Sequence, residues 1–488
     1  MNKNPELMIG LVAPVGVDLD QVIIILTDYL KQFNYTTNQI VISSLIDKVA
    51  GLETKLCMEP EYDRINTYMS AGDEVREKTK RGYILAALAI NTISFQRDAD
   101  KPLPGTAHIF KSLKHPDEVH FLRDIYGEGF YLLSISSSRT NRLKYLARKN
   151  IPGPQAEKLI KRDESESGKF GQHMSDAFHL ADGFIDIDSD NAEDQVARIL
   201  DLIFGNPCVT PTKDEYAMFL AFAASMRSGD LSRQVGAVIT SKHDEIIATG
   251  ANDVPCFGGG LYWSDHGPND QRDYVKGHDA NECRRNEIVT KIMKKFRDGS
   301  GEQELLEEGK QLLKDTGILD ITEYGRAVHA EMEALLSCGR SGASPRGGTL
   351  YCTTFPCHNC AKHIVASGIN RVVFVEPYPK SLALDLHSDA ICLAHESVVE
   401  IREKMETQKP KVCFEPFVGV GPRKFFDLFS MNLSRGNKLK RELKGKKISW
   451  KRQDACVRVP LSAVSYIEKE PHILREVDKL LGGSDGHN

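Results

Sequence analysis

Long apolar runs, tryptophan and an excess of either charge are what this 488-residue chain has little of. No run approaches the ~20 apolar residues that cross a bilayer, so no membrane association is expected. The first residues lack the pattern of a secretory leader, and a cytoplasmic location is expected. With 63 Lys+Arg against 68 Asp+Glu the formal charge is −5, which argues against coating nucleic acid through bulk charge. Two Trp and 8% aromatics are few for a channel that stacks the bases of a strand. A disulfide framework is absent as well: the 11 Cys are an odd number, scattered through the chain, and read as thiols or metal ligands. There is no internal repeat and no low-complexity tract. What is present, 41% hydrophobic residues and mixed charge, fits two to four folded domains at about 100–200 residues each.

Short apolar runs at 7–12, 39–43, 106–110, 130–135 and 183–187 alternate with helical patterns such as 21–33 and 83–92. That alternation predicts βαβ units and a parallel sheet covered on both faces. Asn206-Pro207 and Pro211 mark a boundary. Thr212-Lys-Asp-Glu215 then fits a capping box, followed by a helix at 216–226 that is apolar on nearly every face and is therefore expected to be buried. Runs at 235–240 and 245–250 predict a hairpin, 256–320 an insertion. A helix at about 328–337, a strand at 349–352, a helix at 357–367 stopped by Gly368 and a strand at 371–375 follow. The order predicts a three-layer α/β/α sandwich. The stretch 435–452 carries nine Lys/Arg and one acid and is expected as a solvated helix with Ile448 and Trp450 turned inward.

Two segments carry the chemistry: His329-Ala-Glu331 and Pro356-Cys-His-Asn-Cys360. Together they match the H-x-E…P-C-x-x-C signature of zinc-dependent nucleobase deaminases. A Cys-x-x-Cys at a helix start aims two sulfurs at one point, and the positive helix end favours the thiolates that zinc binds. His329 supplies a third ligand and leaves one position open, the arrangement of a catalytic Zn²⁺. Glu331 is then placed to carry protons. A closed structural zinc ribbon would want a second Cys pair, and the chain has one Cys-x-x-Cys. Cys256, His266, His278 and Cys283 are too loosely spaced to define a second, structural zinc.

Several further segments, in order, resemble deoxycytidylate deaminases: Ser225-Met-Arg-Ser228, Gln234-Val-Gly-Ala237, Gly250-Ala-Asn-Asp-Val-Pro255 and Phe355-Pro-Cys-His-Asn-Cys-Ala-Lys362. The whole chain is similar to bacterial anti-phage dCTP deaminases, through Ser112-Leu-Lys-His-Pro116, Glu376-Pro-Tyr-Pro-Lys-Ser381 and Gly419-Val-Gly-Pro-Arg-Lys424. That resemblance implies an α/β fold in two parts: a P-loop-kinase-like parallel-sheet domain at 1–206, serving as a regulatory nucleotide-binding domain, and a cytidine-deaminase-like α/β/α sandwich at 207–434. A basic extension at 435–488 completes the division. It implies hydrolytic deamination of dCTP, dCMP or both, with depletion of deoxycytidine nucleotides in phage defence. It also implies a homo-oligomer, a hexamer, with dTTP or dCTP as allosteric nucleotide and an inhibitory RNA or protein partner. Asn252 matches the family asparagine that binds the sugar hydroxyl, and Arg227 and Arg233 suit phosphate oxygens.

In the N-terminal part, Ile9-Gly-Leu-Val-Ala-Pro-Val-Gly-Val-Asp18 follows a strand and precedes a helix, as a phosphate loop would, with Gly10, Gly16 and Asp18 as its candidate residues. The full motif G-x-x-x-x-G-K-[ST] is not met: Val17 stands where the Lys belongs and Asp18 where the hydroxyl belongs. Phosphoryl transfer is therefore not expected, and the domain is expected to suppress or license the deaminase. Ser136-Ser-Ser-Arg139 with Arg142 and Arg148 resembles the basic lid of such folds. Two rival functions are a polynucleotide cytosine deaminase, which wants a basic, aromatic channel, and a catalytically silent sensor, which usually lacks the carboxylate or a ligand.

Overall fold

The computed structural model describes residues 4–49, 51–97, 101–164, 171, 173–296, 301–314, 316–377, 381–394, 410–461 and 463–480. Tyr378, Pro379 and Lys380 of the motif at 376–381 lie outside the described residues. The chain is a mixed α/β protein built on two six-stranded sheets.

The first sheet contains β1 (Leu7–Val12), β2 (Thr36–Val41), β3 (Thr106–Lys111), β4 (Phe130–Ser136) and β5 (Gly183–Asp186), all parallel, in the order β5-β4-β1-β3-β2. Strands β1 and β4 are near-continuous apolar runs because helices cover both faces. β1 lies between β3 and β4 although the chain visits β2 first, so its carboxyl end opens at the switch point where such sheets leave a crevice.

The second sheet has the order β10-β11-β9-β8-β6-β7, from β6 (Gly236–Thr240), β7 (Ile246–Ala251), β8 (Thr349–Thr354), β9 (Arg371–Glu376), β10 (Ile391–Leu393) and β11 (Val412–Pro416). β6 pairs antiparallel with β7 and β8, while β8, β9, β11 and β10 run parallel. Two glycines set its helices close. A Cβ at Gly236 would lie 1.9 Å from Ala221 O, and one at Gly250 would lie 2.1 Å from Ala330 O. Without side chains there, the helices Lys213–Ser225 and Ala330–Ser341 press directly on β6 and β7.

Three expectations are corrected. The helix Lys213–Ser225 is not buried all round: Tyr216 is exposed and so is Met226 just beyond it, while Phe219 stacks on Phe425 with ring centroids 4.2 Å apart. Its apolar outer face is covered by chain that returns from far downstream. The stretch 435–452 is not a helix but irregular chain with a short hairpin, Glu442–Leu443 against Lys446–Lys447, and Trp450 sits 6.1 Å from Phe33. Finally, the chain after β11 belongs with the first sheet. β12 (Gly419–Val420) adds antiparallel to β5, and the helix Ala463–Leu480 docks on the N-terminal half. There Glu470 bonds Arg97 and, at 2.9 Å, Tyr126, while Glu6 bonds Arg97, His108 and Tyr466, all of them buried.

The halves are thus tied together. Glu215, with no exposed side-chain surface, completes the predicted capping box at Thr212 and also accepts from Arg198 at 2.6 Å and from Val420 N at 2.9 Å. One carboxylate joins a helix of each half and the returning strand.

Candidate active site

Both signature segments fall where helices begin. His329 is the N-cap residue of Ala330–Ser341, and Cys357 is the N-cap residue of His358–Ser367, which Gly368 ends with φ 78°. The second helix follows β8, so the Cys-x-x-Cys lies at the carboxyl end of a parallel strand. His329 Nδ1 is 3.4 Å from Cys357 Sγ and 3.3 Å from Cys360 Sγ. Tetrahedral zinc with Zn–S of ~2.3 Å and Zn–N of ~2.0 Å would separate N and S by about 3.5 Å, so the donor set fits the ion. Among the described residues it is the one cluster of three His, Cys or acidic ligand atoms close enough to share a metal.

Glu331 is 5% exposed and lines a cavity of about 590 Å³ together with His329 and Cys357. Burial pushes its carboxyl above the ordinary range, the nearby imidazole opposes this, and the Cys357 sulfur adds to it. Cys357 is held down to about 3 by the hydrogen bond from Cys360 and by His329, whose own pKa rises to about 9, chiefly through its bond to Cys357. The Cys360 thiol is pushed well up, first by donating to Cys357 and then by burial. A metal bound there would displace the protons that the imidazole and the two sulfurs share, and the adjoining carboxyl can both hold and release a proton.

Asn252 and Arg233 line the same cavity. The Asn252 amide is engaged by backbone at both ends: Oδ1 accepts from Val235 N at 2.7 Å and Nδ2 donates to Arg233 O at 2.8 Å. It shapes the loop that carries Arg233. The Arg233 guanidinium donates to Glu376 Oε1 at 2.9 Å, and Glu376 Oε2 accepts from Thr354 at 3.1 Å. Arg227 is elsewhere. It lies over Trp263 with 3.6 Å from guanidinium carbon to ring centroid, donates to Tyr262 O at 3.0 Å, and borders a separate cavity with Glu333 and Arg340. The two arginines six residues apart are therefore not brought together.

Sequence reasoning missed the wall opposite the metal ligands. Asp279, Asn281, Thr322 and Glu323 come from the insertion or just after it, and Asn281 bonds Ile321 O at 2.9 Å and Tyr324 N at 3.2 Å, holding that strip over the cavity. No local pattern announces such a wall; the insertion's position between β7 and the helix of His329 was the available signal. Within the insertion, Cys256 Sγ is 3.8 Å from His266 Nε2, while His278 and Cys283 border a different hollow.

The three candidate residues of the N-terminal loop are occupied by the protein. Gly10 is inside β1, where a Cβ would meet Phe130 at 2.7 Å. Gly16, at φ 92°, packs against Arg142, and Asp18 caps the helix Leu19–Gln32 by accepting from Gln21 N at 3.2 Å. Val15 N donates to Asp163 at 2.7 Å, and Arg142 Nε donates to Val15 O at 2.8 Å.

The centre just described, one His and two Cys from two helix starts with a buried carboxyl beside them, defines a zinc-dependent nucleobase deaminase. Residues 211–376 match the model of the cytidine and deoxycytidylate deaminase zinc-binding region. The deoxycytidylate deaminases of Enterobacteria phages T4 and T2 are each 30% identical over 33% of this chain, spanning 77% and 79% of the phage proteins. The deoxycytidylate deaminase of Saccharomyces cerevisiae is 26% identical over 42% of this chain and 49% of its own. The chain belongs to the cytidine and deoxycytidylate deaminase family, and its cofactor is Zn²⁺.

Proposed function

We propose that the protein hydrolyses free deoxycytidine nucleotides, dCMP, dCTP or both, to the corresponding deoxyuridine nucleotides and ammonia. The observation that carries this is the buried Glu331 carboxyl lining the cavity, beside the convergent His329, Cys357 and Cys360. His329, Cys357 and Cys360 would hold zinc, which would lower the pKa of water from 15.7 to about 7 and so make hydroxide available near neutral pH. Glu331 would take one proton from the attacking water and deliver it to ring N3, then take the second from the hydroxyl now on the ring carbon and pass it to the amine, which leaves as ammonia. Its raised pKa suits a group that must be charged in one step and neutral in the next. Arg233, aimed by Glu376, meets the 5′-phosphate, and the loop shaped by Asn252 meets the sugar.

The resemblance to anti-phage dCTP deaminases supports the setting: a cytoplasmic, hexameric enzyme that lowers the deoxycytidine nucleotide supply during infection, under the control of its N-terminal half, of dTTP or dCTP, and of an inhibitory RNA or protein. Among the described residues no helix is long and apolar enough to cross a membrane. The test is ammonia release from dCTP, dCMP and single-stranded DNA, with and without dTTP. Turnover confined to the strand, or retained in full by Glu331→Gln, overturns the reading.

A further inference from the structure

Two cysteines away from the zinc centre are set side by side at one end of the second sheet. In β10 and β11 a single Cys stands between apolar neighbours, Ile391-Cys-Leu393 and Val412-Cys-Phe414. Side chains alternate along a strand, so burying the apolar pair of each strand turns both cysteines to the opposite face and fixes the register. Ile391, Leu393, Val412 and Phe414 all pack in the core shared with the helices Ala330–Ser341 and His358–Ser367. Cys392 is accordingly the register partner of Cys413 in this parallel pair. Neighbouring strands lie about 4.8 Å apart, within the ~4.4–6.8 Å between Cα atoms that a disulfide spans. Cys392 Sγ leans toward β11, 3.8 Å from Val412 O, and the Cys413 thiol is hydrogen-bonded to Cys392. Both are half-buried thiols, and among the described residues β10 is the edge of the sheet.

We infer that Cys392 and Cys413 are a reversible redox pair, closed to a disulfide by a low-molecular-weight disulfide, oxidised glutathione. Cys392 attacks one sulfur of that oxidant, forming a mixed disulfide and releasing one glutathione thiol. Cys413 then attacks the Cys392 sulfur and releases the second. Two protein thiols are oxidised, one glutathione disulfide is reduced, and each thiol proton leaves on a glutathione. The surroundings set the order. Burial first, then the Glu415 carboxylate and Cys392, push the Cys413 thiol up to about 12, so the opening attack falls to Cys392 on the edge strand. A half-exposed bond at a sheet edge belongs to the reducible class, and where thiols are kept reduced such bonds are transient. The closed pair fastens a segment that reaches the deaminase cavity. Ser381 donates to Pro356 O at 2.8 Å, Leu382 lines the cavity, and the helix Ala383–Leu386 leads on to β10. The inference needs neither zinc nor Glu331, so its failure and that of the proposed deamination are separate events.

The experiment exposes the full zinc-loaded chain to oxidised glutathione, blocks the remaining thiols with iodoacetamide in denaturant, and maps the unreduced peptides by mass. Cys392→Ser and Cys413→Ser are treated alongside. Unfolding temperature and bound zinc, measured before blocking, report that each chain is folded and that Cys357 and Cys360 stay out of the reaction. The native chain is expected to yield a peptide joining Cys392 to Cys413, about tenfold or more in excess of any other linked pair, and dithiothreitol is expected to restore both thiols. Cys413→Ser should keep glutathione on Cys392, having no second thiol to displace it, and Cys392→Ser should leave Cys413 a thiol. A native chain that holds glutathione on Cys392 without linking it to Cys413 overturns the inference. So does one that keeps both as thiols while the exposed Cys283 and Cys456 carry glutathione.

Discussion

Each half of this chain ends a central parallel strand in a loop and a helix start, and the two loops have opposite fates. After β8, the groups at the helix start converge: Cys357 and Cys360 meet His329, and Cys357 and His329 line a cavity. After β1, the corresponding groups are satisfied from within. Val15 N donates to Asp163, a carboxylate with no exposed side-chain surface, and Lys114 divides itself between Asp163 at 2.9 Å and Ala13 O at 2.7 Å. Asp18 is a helix cap. An internal anion accepts the N–H that a ligand phosphate would otherwise use. Topology brings polar groups to the carboxyl ends of strands in both halves; a site forms only where the protein leaves them unmatched.

That contrast can be broken experimentally, most forcefully at the deaminase loop. Glu331→Gln keeps shape and removes the proton carrier, so deamination is expected to fall by about 10²–10⁴-fold while bound zinc, measured per chain, is retained. Loss of zinc together with activity would instead assign Glu331 to holding the ligands. At the other loop, Asp163→Ala strips Lys114 and Val15 N of a buried carboxylate. Denaturant unfolding is expected to show a loss of about 3–5 kcal/mol, with kcat for deamination unchanged. A fall in kcat would mean that the N-terminal loop reports directly to the zinc centre.

Smaller effects sharpen the comparison. Asn252→Ala removes two hydrogen bonds to backbone and should raise KM by loosening the Arg233 loop, at a cost of about 1–2 kcal/mol in stability. In the insertion, Asp270 is held at about 2 by its hydrogen bonds with Arg272, against burial, which opposes them. A carboxyl with a depressed folded pKa contributes stability above its unfolded value of 3.8, and that contribution is lost as pH falls from about 4 toward 2. Thermal unfolding of Asp270→Asn should accordingly converge with that of the native chain across that window. Least of all, Arg227→Lys weakens the stack on Trp263 by about 0.5–1 kcal/mol and leaves kcat/KM for deamination unaltered, since Arg227 borders another cavity.

The zinc ligands were legible because their geometry is local. Spacing within a helix start orients Cys357 and Cys360, and Pro356 ahead of them and Gly368 behind bound that helix. The capping box at Thr212 was legible for the same reason. Arg227 and Arg233 looked equivalent because they lie six residues apart in one short segment, yet the turn between them sends one to Trp263 and the other to Glu376. The helix at 213–225 looked buried throughout because its outer aromatic face awaits Phe425, some two hundred residues away. Nothing near Gly419 hints that β12 would cross back to β5.

Composition, helix caps and the Cys-x-x-Cys spacing therefore pointed to the metal-ligand set: they act over a few residues, where backbone geometry alone dictates direction. The cavity's far wall, the seam at Glu215, the closed loop at Val15 and the buried ion pair Arg76–Glu118 came only with the folded chain. Each joins segments distant in sequence, and which distant groups meet is decided by the packing of both sheets at once.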